Sequence, residues 1–281
     1  MASLRQLRTR VASIKNIQRV TNAMRLVSAA RMRKAQEAIV AARPYALQLD
    51  RVLQRLSANI GELQHPLMAE RPVNHTAIVV VTSDRGLCGS FNSNTCRQAR
   101  SLVKSGDGVI AVGRKGRNFF LNRHVSVLQS YIDVFREMSF AQAATIAEEA
   151  TKRFVTGDVD RVVLVYNEFI SVAHQQAVVE QLLPIVPKKI TEDVKGEDYL
   201  FEPSPEVLLE TLVPRHINFQ VWRALLESNA GEQAARMRAM DNATKNAGDL
   251  IEELTRDMNK KRQSSITLEL MDIIGGSEAV A

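Results

Sequence analysis

Cysteine is almost missing from this 281-residue chain: Cys88 and Cys96 are the only two. Two thiols make neither a disulfide framework nor a zinc site, and they fit a reducing compartment. Aromatic residues are scarce as well, at 5%, with a single tryptophan, Trp222. So few rings, beside abundant Ala, Leu, Met and Arg, suit long helices better than a core made mainly of sheet. No apolar run approaches the roughly 18 residues that a membrane span requires. The opening MASLRQLRTR has no apolar segment of signal-peptide type. A chain that is cytosolic or peripheral to a membrane is expected.

What the sequence does have is a seam. In the stretch from Glu206 to Ala281, the residues Ala230, Ala234, Met237, Met240, Ala243, Ala247, Leu250, Leu254 and Met258 recur in steps of three and four. That is the spacing of a coiled coil. Proline is absent from Val221 to Gly275, and at 1.5 Å per residue such a helix runs on the order of 80–100 Å. It needs a partner. Near the other terminus, Leu4, Leu7, Val11, Ile14, Ile17, Val20, Met24 and Val27 repeat in the same steps, and Ala35, Ala38 and Ala42 continue them. Ser3 suits the N-cap of this first helix, and Pro44 predicts a kink or local break. Residues 1–60 carry twelve Lys or Arg against two acidic residues, whereas residues 206–281 carry nine against twelve. Two heptad stretches of opposite charge predict an antiparallel pair within one chain. The formal net charge of +6 therefore belongs largely to the first helix, where acidic protein loops, nucleic acid or an anionic membrane would each answer it.

Between the helices the pattern changes. Thr76 to Thr82 is a continuous β-branched run that reads as a strand buried on both faces. Further strands are expected at 108–113, 125–128, 160–167 and 176–183, with helices at 93–104, 115–122 and 139–154. Strands alternating with helices predict a mostly parallel sheet. The fold class is thus α/β plus coiled coil: a long antiparallel helical hairpin from the two termini, with a Rossmann-like α/β domain inserted. The expected divisions are 1–60 for the first helix and 74–190 for the α/β domain. Residues 191–205 form a connecting segment with one edge strand near Tyr199–Phe201, and 206–281 the last helix.

Glycines following a strand raise the question of a phosphate loop. A Walker loop requires G-x-x-x-x-G-K-[ST], in which amides and Lys hold phosphate and the hydroxyl holds magnesium. Here Gly108 to Gly113 spans a strand, Arg114 stands at the Lys position and no hydroxyl follows. The five histidines lack ligand spacing, and no nucleophile has a base beside it. No catalytic, cofactor-binding or metal-binding residue is assigned, and the α/β domain reads as a mount for the hairpin.

The stretches Leu4–Met24, Val27–Gln36, Asp84–Gly89 (DRGLCG), Glu232–Met240 and Arg262–Glu269 (RQSSITLE) together resemble the gamma subunits of F-type rotary ATP synthases. The likeness runs through the whole chain in order. It departs slightly at Asp272, where Glu is common, and at Ser277, where Ala is usual. The resemblance implies a central shaft inside a ring of three alpha and three beta subunits. Its α/β domain would meet the epsilon subunit and the membrane c-ring, coupling rotation driven by proton flow to ATP synthesis or hydrolysis in the ring. It also implies beta-subunit contacts at Met24, Arg262, Gln263, Thr267 and Glu269, and c-ring or epsilon contacts at Tyr199 and Glu202. A peripheral position on the cytoplasmic face of a bacterial inner membrane is expected. Thiol control is not, because the cysteine pair of chloroplast members is missing. The rival reading is a basic coiled-coil protein that binds nucleic acid.

Overall fold

A computed structural model describes residues 3–59, 65–186, 202 and 204–278. In chain order these form α1 (Leu4–Asn59), β1 (Thr76–Val81), α2 (Phe91–Leu102), β2 (Gly108–Val112), α3 (Arg114–Leu121), β3 (Val127–Tyr131), α4 (Phe140–Thr156), β4 (Arg161–Phe169), β5 (Gln175–Leu183) and α5 (Pro205–Glu278). The chain divides into two compact units: Met1–Ser28 with Arg236–Ala281, and Ala29–Ala235. The anticipated connecting segment, with its strand near Tyr199–Phe201, lies almost wholly outside the described residues.

Both long helices pass through a proline. α1 does not break at Pro44, nor α5 at Pro214. A helix proline leaves the carbonyl four residues earlier without its usual donor. Those carbonyls belong to Val40 and Glu210, and Val40, Pro44, Glu210 and Pro214 are all exposed, on the side of each helix that solvent can reach. The helix is continuous through Pro44, so the expected local break does not occur. At its start, Ser3 and Gln6 form a reciprocal capping box: the Gln6 amide donates to Ser3 Oγ at 3.3 Å and the Ser3 amide to Gln6 Oε1 at 2.8 Å.

In the larger unit the sheet order is β3-β2-β1-β4-β5. The first three pairings are parallel, and β5 runs antiparallel to β4. Every residue of β1 and β2 is buried, as their β-branched runs require of strands covered on both sides. Ala99 of α2 and Phe120 of α3 pack with Ile78, Val80, Val109 and Val165 on one face. On the other face α4 packs through Ala143, Ile146 and Phe154, α1 through Leu49, Leu53 and Leu56, and α5 through Val213, Ile217 and Leu225. Within this unit α1 and α5 also pair with each other, Ala35 and Ile39 against Leu226 and Ala230.

The smaller unit is an antiparallel helix pair. Leu7 and Val11 pack with Leu254, flanked by Ile14, Leu250, Ile251 and Met258. On α5 the heptad-spaced residues Met240, Ala247 and Leu254 are buried, as the repeat predicts. On α1 the inward positions are Leu4, Leu7, Val11, Ile14, Gln18, Thr21, Arg25 and Ser28, all buried or half-buried. This corrects the expected seam. Ile17, Val20 and Val27 lie one position off it and are 54%, 57% and 52% exposed.

Candidate functional site

In an open parallel sheet, ligands bind where the strand order reverses, beyond the carboxyl ends of the strands. Here that crevice lies between β1 and β4, and part of α5 occupies it. The Asn167 amide donates to Ser228 Oγ at 3.2 Å and the Phe169 amide to Glu227 Oε2 at 2.8 Å. Asn167 also donates through Nδ2 to Thr95 Oγ1 of α2. Burial raises the Glu227 carboxyl above its ordinary range. Gly231 sits one turn further along α5. A Cβ there would lie 3.4 Å from the Phe91 ring and 3.6 Å from both Asn167 and Gln175, ordinary contact distances, so the helix packs close to the strand end with room for a methyl group. Ala235 closes the contact against Cys88 and Phe91.

The DRGLCG loop completes this anchorage. Ser83 Oγ donates to the Arg85 carbonyl at 2.6 Å, and Asn92 Nδ2 reaches Ser83 Oγ at 2.8 Å and Cys88 Sγ at 3.2 Å. Cys88 and Cys96 are both buried thiols outside any disulfide, and burial pushes the Cys96 thiol up to about 12. The glycines after β2 serve packing too. Gly113 has φ 95°, and a Cβ on it would fall 2.1 Å from the Thr82 carbonyl. Gly116 donates its amide to Thr82 Oγ1 at 2.8 Å. The turn that superficially resembles a phosphate loop is filled by Thr82.

A second polar cluster joins α5 to the antiparallel edge. Arg223 donates to Glu180 Oε2 and, at 3.3 Å, to Tyr166 Oη, while Tyr166 Oη donates to Glu180 at 3.2 Å. Nearby His216 Nδ1 stands 3.4 Å from Asp50 Oδ1 of α1. A cavity of about 110 Å³ opens there, lined by Asp50, Leu53, Met68, Glu180, His216 and Gln220 among others. Sequence reasoning passed over these networks because their members lie far apart along the chain and belong to no motif.

The sequence-derived contact residues fall in different places. Met24 is half-buried on α1. Arg262, Gln263, Thr267 and Glu269 are exposed together near the end of α5, where Thr267 Oγ1 donates to the Gln263 carbonyl at 3.0 Å. Pairing of Arg25 with Asp241 puts Met24 about twenty residues, or roughly 30 Å, from Arg262 along the hairpin. The two sets are separate surfaces. Glu202 is exposed, and Tyr199 lies outside the described residues. From Arg262 onward α5 extends beyond the start of α1, leaving Ile266, Leu268, Leu270, Met271, Ile273 and Ile274 exposed. Among the described residues no group of three His, Cys, Asp or Glu is placed to hold a metal, and no helix is long and apolar enough to cross a membrane.

A family model described as ATP synthase matches residues 3–280. The ATP synthase gamma chain of Chlorobaculum parvum is 45% identical, over 100% of this chain and 99% of the relative. That of Anaeromyxobacter sp. (strain K) is 46% identical over 100% of both chains. Among solved structures, a chain of the Tetrahymena thermophila mitochondrial ATP synthase central stalk and c-ring superposes with a TM-score of 0.62 at 26% identity. That match covers 80% of this chain and 99% of the other. A chain from the Euglena gracilis mitochondrial ATP synthase shares the fold, with a TM-score of 0.73 at 22% identity over 99% of this chain and 94% of that one. Helices paired from the two termini, an inserted α/β unit matching central-stalk chains, and identity above 40% along the whole length lead to one conclusion: the chain belongs to the ATP synthase gamma chain family.

Proposed function

We propose that this chain is the central rotor shaft of a bacterial F-type ATP synthase. It couples rotation of a proton-driven c-ring to ATP synthesis or hydrolysis in a surrounding ring of three alpha and three beta subunits. The observation that carries this reading is the apolar surface of the helix pair. Ile17, Val20 and Val27 stand more than half exposed on α1, as do Leu268, Leu270, Met271 and Ile273 on the unpaired end of α5. A monomer gains nothing by exposing such residues in a row, and a sleeve lined by partner subunits removes them from water. Aliphatic contacts have no directional hydrogen bonds to break, so they permit sliding where a polar interface would lock.

On this reading Met24 meets the lever loops of the beta subunits, and Arg262, Gln263, Thr267 and Glu269 meet a second beta-subunit surface higher on the shaft. Tyr199 and Glu202 face the c-ring or the epsilon subunit. The basic charge of α1 answers acidic ring loops rather than nucleic acid. Nucleotides bind in the alpha and beta subunits. The chain supplies no catalytic residue, cofactor or metal of its own, since its strand-end crevice is packed with α5. It sits peripherally on the cytoplasmic face of the inner membrane.

Reconstitution tests the proposal. Mixed with alpha and beta subunits from the same source, the chain is expected to enter a complex as one copy per hexamer with steady magnesium-ATP hydrolysis. Deletion of Arg262 to Ala281 is expected to collapse that activity. Activity surviving the deletion would move torque transfer to the Met24 region, and failure to form any complex would overturn the reading.

A further inference from the structure

The face of the sheet covered by α2 and α3 has a charge imbalance that the shaft reading does not use. From Arg85 to Ile132 the chain has eight Lys or Arg and a single acidic residue, Asp107. Asp107 is buried and turned inward, accepting the Thr76 and Lys104 amides at 2.8 Å each. The next stretch, Asp133 to Asp160, which holds α4, has six acidic residues against three basic. The α2–α3 layer is thus basic where the α4 stretch is acidic, and the two carboxylates that border it are both engaged by Arg114: Asp84 accepts its amide at 2.9 Å and Asp133 pairs with its guanidinium at 3.0 Å.

Six of the eight basic residues line this layer: Arg97, Arg100 and Lys104 on and just after α2, and Lys115, Arg117 and Arg123 on and just after α3. Arg117 is half-exposed and the other five are exposed. The spacing of 97 and 100 sets these two along one side of α2, and Lys104 follows just past its end. α2 packs on α3, and the positive charge of Arg123 is felt at the Cys96 thiol of α2, where it partly opposes the effect of burial. The six charges thus lie on neighbouring helices over the same face of the sheet. None lies within ion-pair reach of a carboxylate among the described residues, unlike Arg114, which pairs with Asp133 at 3.0 Å.

Four of the guanidinium groups are held in place by neutral groups instead. Arg97 donates to Asn94 Oδ1 at 2.9 Å and Arg117 to Asn118 Oδ1 at 3.2 Å. Arg100 donates to the Val103 carbonyl at 3.4 Å. Arg123 stacks over the Phe119 ring at 3.7 Å and donates to its carbonyl at 3.3 Å. A guanidinium fixed along one edge keeps its remaining N–H groups in a planar fork suited to bidentate carboxylate recognition. Like charges gathered without counter-charge destabilise the monomer, and pinned forks are of no use to a merely solvated surface. We propose that the α2–α3 face docks a carboxylate-rich protein segment, an acidic helix or loop of a second polypeptide. Diffuse attraction to anionic lipid needs charge alone, whether from Lys or Arg. Four pinned arginines favour discrete carboxylates. The proposal is independent of the shaft reading.

The test uses the full chain and a fluorescein-labelled oligoglutamate peptide. Anisotropy reads binding, and carbodiimide coupling, which joins carboxylates to lysine amines, reports location by mass spectrometry. Cross-links at Lys104 and Lys115 are expected, with affinity falling as salt rises. Arg97→Gln, Arg117→Gln and Arg123→Gln together are expected to weaken binding roughly tenfold with the circular dichroism spectrum unchanged. The same three positions changed to Lys keep the net charge and should still lose several-fold if the forks matter. Equal binding by the Lys variant, or cross-links confined to Lys15 and Lys34 of α1, would overturn the proposal. So would flotation with phosphatidylglycerol vesicles in the absence of any peptide coupling at this face.

Discussion

Thr21 of α1 and Thr244 of α5 face each other across the helix pair with their hydroxyl oxygens 2.8 Å apart. Each hydroxyl also contacts its own helix: Thr21 the Gln18 carbonyl at 3.1 Å, Thr244 the Met240 carbonyl at 2.8 Å. Two hydroxyl protons serve three acceptor contacts, so one contact always goes without a proton. The neighbouring rungs are similar. Gln18 lies over Gly248, where an added Cβ would come within 3.2 Å of its Nε2, and Arg25 stands 3.8 Å from Asp241. Apolar packing at the Leu7–Leu254 end thus gives way to a polar stretch of seam that holds register more than it adds stability.

Replacing Thr21 by Val leaves the Thr244 hydroxyl only the Met240 carbonyl of its own helix and a methyl opposite its oxygen, and Thr244→Val leaves Thr21 only the Gln18 carbonyl. Each single variant is expected to lose about 1 kcal/mol, while the double Val variant, with two shape-matched apolar groups, recovers to the parent stability or above it. Urea denaturation of the full chain in a double-mutant cycle measures this. Additive losses would show that the two hydroxyls act separately.

These rungs also explain what the sequence revealed and what it hid. The α5 heptads were legible because Met240, Ala247 and Leu254 are apolar and seven apart, and β1 and β2 because buried parallel strands need unbroken β-branched runs. The α1 seam was misread past Ile14 because the inward positions become Gln18, Thr21, Arg25 and Ser28, while the apolar Ile17, Val20 and Val27 point outward. Hydrophobic periodicity assumes that apolar means inward. It fails where the inner partner is Gly248, Thr244 or Asp241 and the outer face is itself exposed. The anchorage was hidden for another reason. Glu227, Ser228 and Gly231 acquire meaning only opposite Asn167 and Phe169, some sixty residues earlier in the chain.

Gly231 faces the end of β4 with room for a methyl group and little more. Alanine brings only ordinary contacts with Phe91, Asn167 and Gln175 and removes a helix-interior glycine, so Gly231→Ala is expected to be neutral or to gain up to about 1 kcal/mol. Gly231→Leu adds volume that none of these neighbours can yield, and should cost about 1–3 kcal/mol. In the assembled enzyme the Leu variant is expected to hydrolyse ATP while pumping fewer protons per ATP, because the helix is pried off its mount. Equal coupling ratios for Leu and parent would show that the anchorage transmits no torque.

The turn after β2 makes a sharper demand. With φ at 95° and a Cβ position 2.1 Å from the Thr82 carbonyl, Gly113 admits no side chain without movement of β1 or α3. Gly113→Ala is expected to destabilise by at least about 2 kcal/mol, combining left-handed backbone strain with overpacking. Thr82→Val should cost about 1–3 kcal/mol by leaving the Gly116 amide, now bonded to Thr82 Oγ1, without an acceptor in a buried site. Thermal melts of the two variants separate the effects, since only Gly113→Ala alters the backbone.

Glu227 supplies a pH signature for the anchorage. Its carboxylate accepts the Phe169 amide at 2.8 Å, yet burial, reinforced by the nearby Glu168 charge, raises its pKa above that of an unfolded glutamate. The folded state therefore keeps the proton longer than the unfolded state. As pH climbs from the ordinary glutamate range through the raised folded value, the unfolded chain ionises first, and the Glu227 contribution to stability declines. A glutamine there retains a carbonyl oxygen for the Phe169 amide and removes the ionisation. Glu227→Gln is expected to match the parent at low pH and to become the more stable of the two as pH rises to neutrality. Glu227→Ala, which leaves the Phe169 amide without its partner, should be less stable at every pH by about 1–3 kcal/mol. Urea titrations of the three proteins between pH 4 and 8 measure the differences. A Gln variant whose deficit or surplus stays constant across that range would mean that Glu227 ionises alike in the folded and unfolded chains, and that the contact holds an ordinary surface carboxylate.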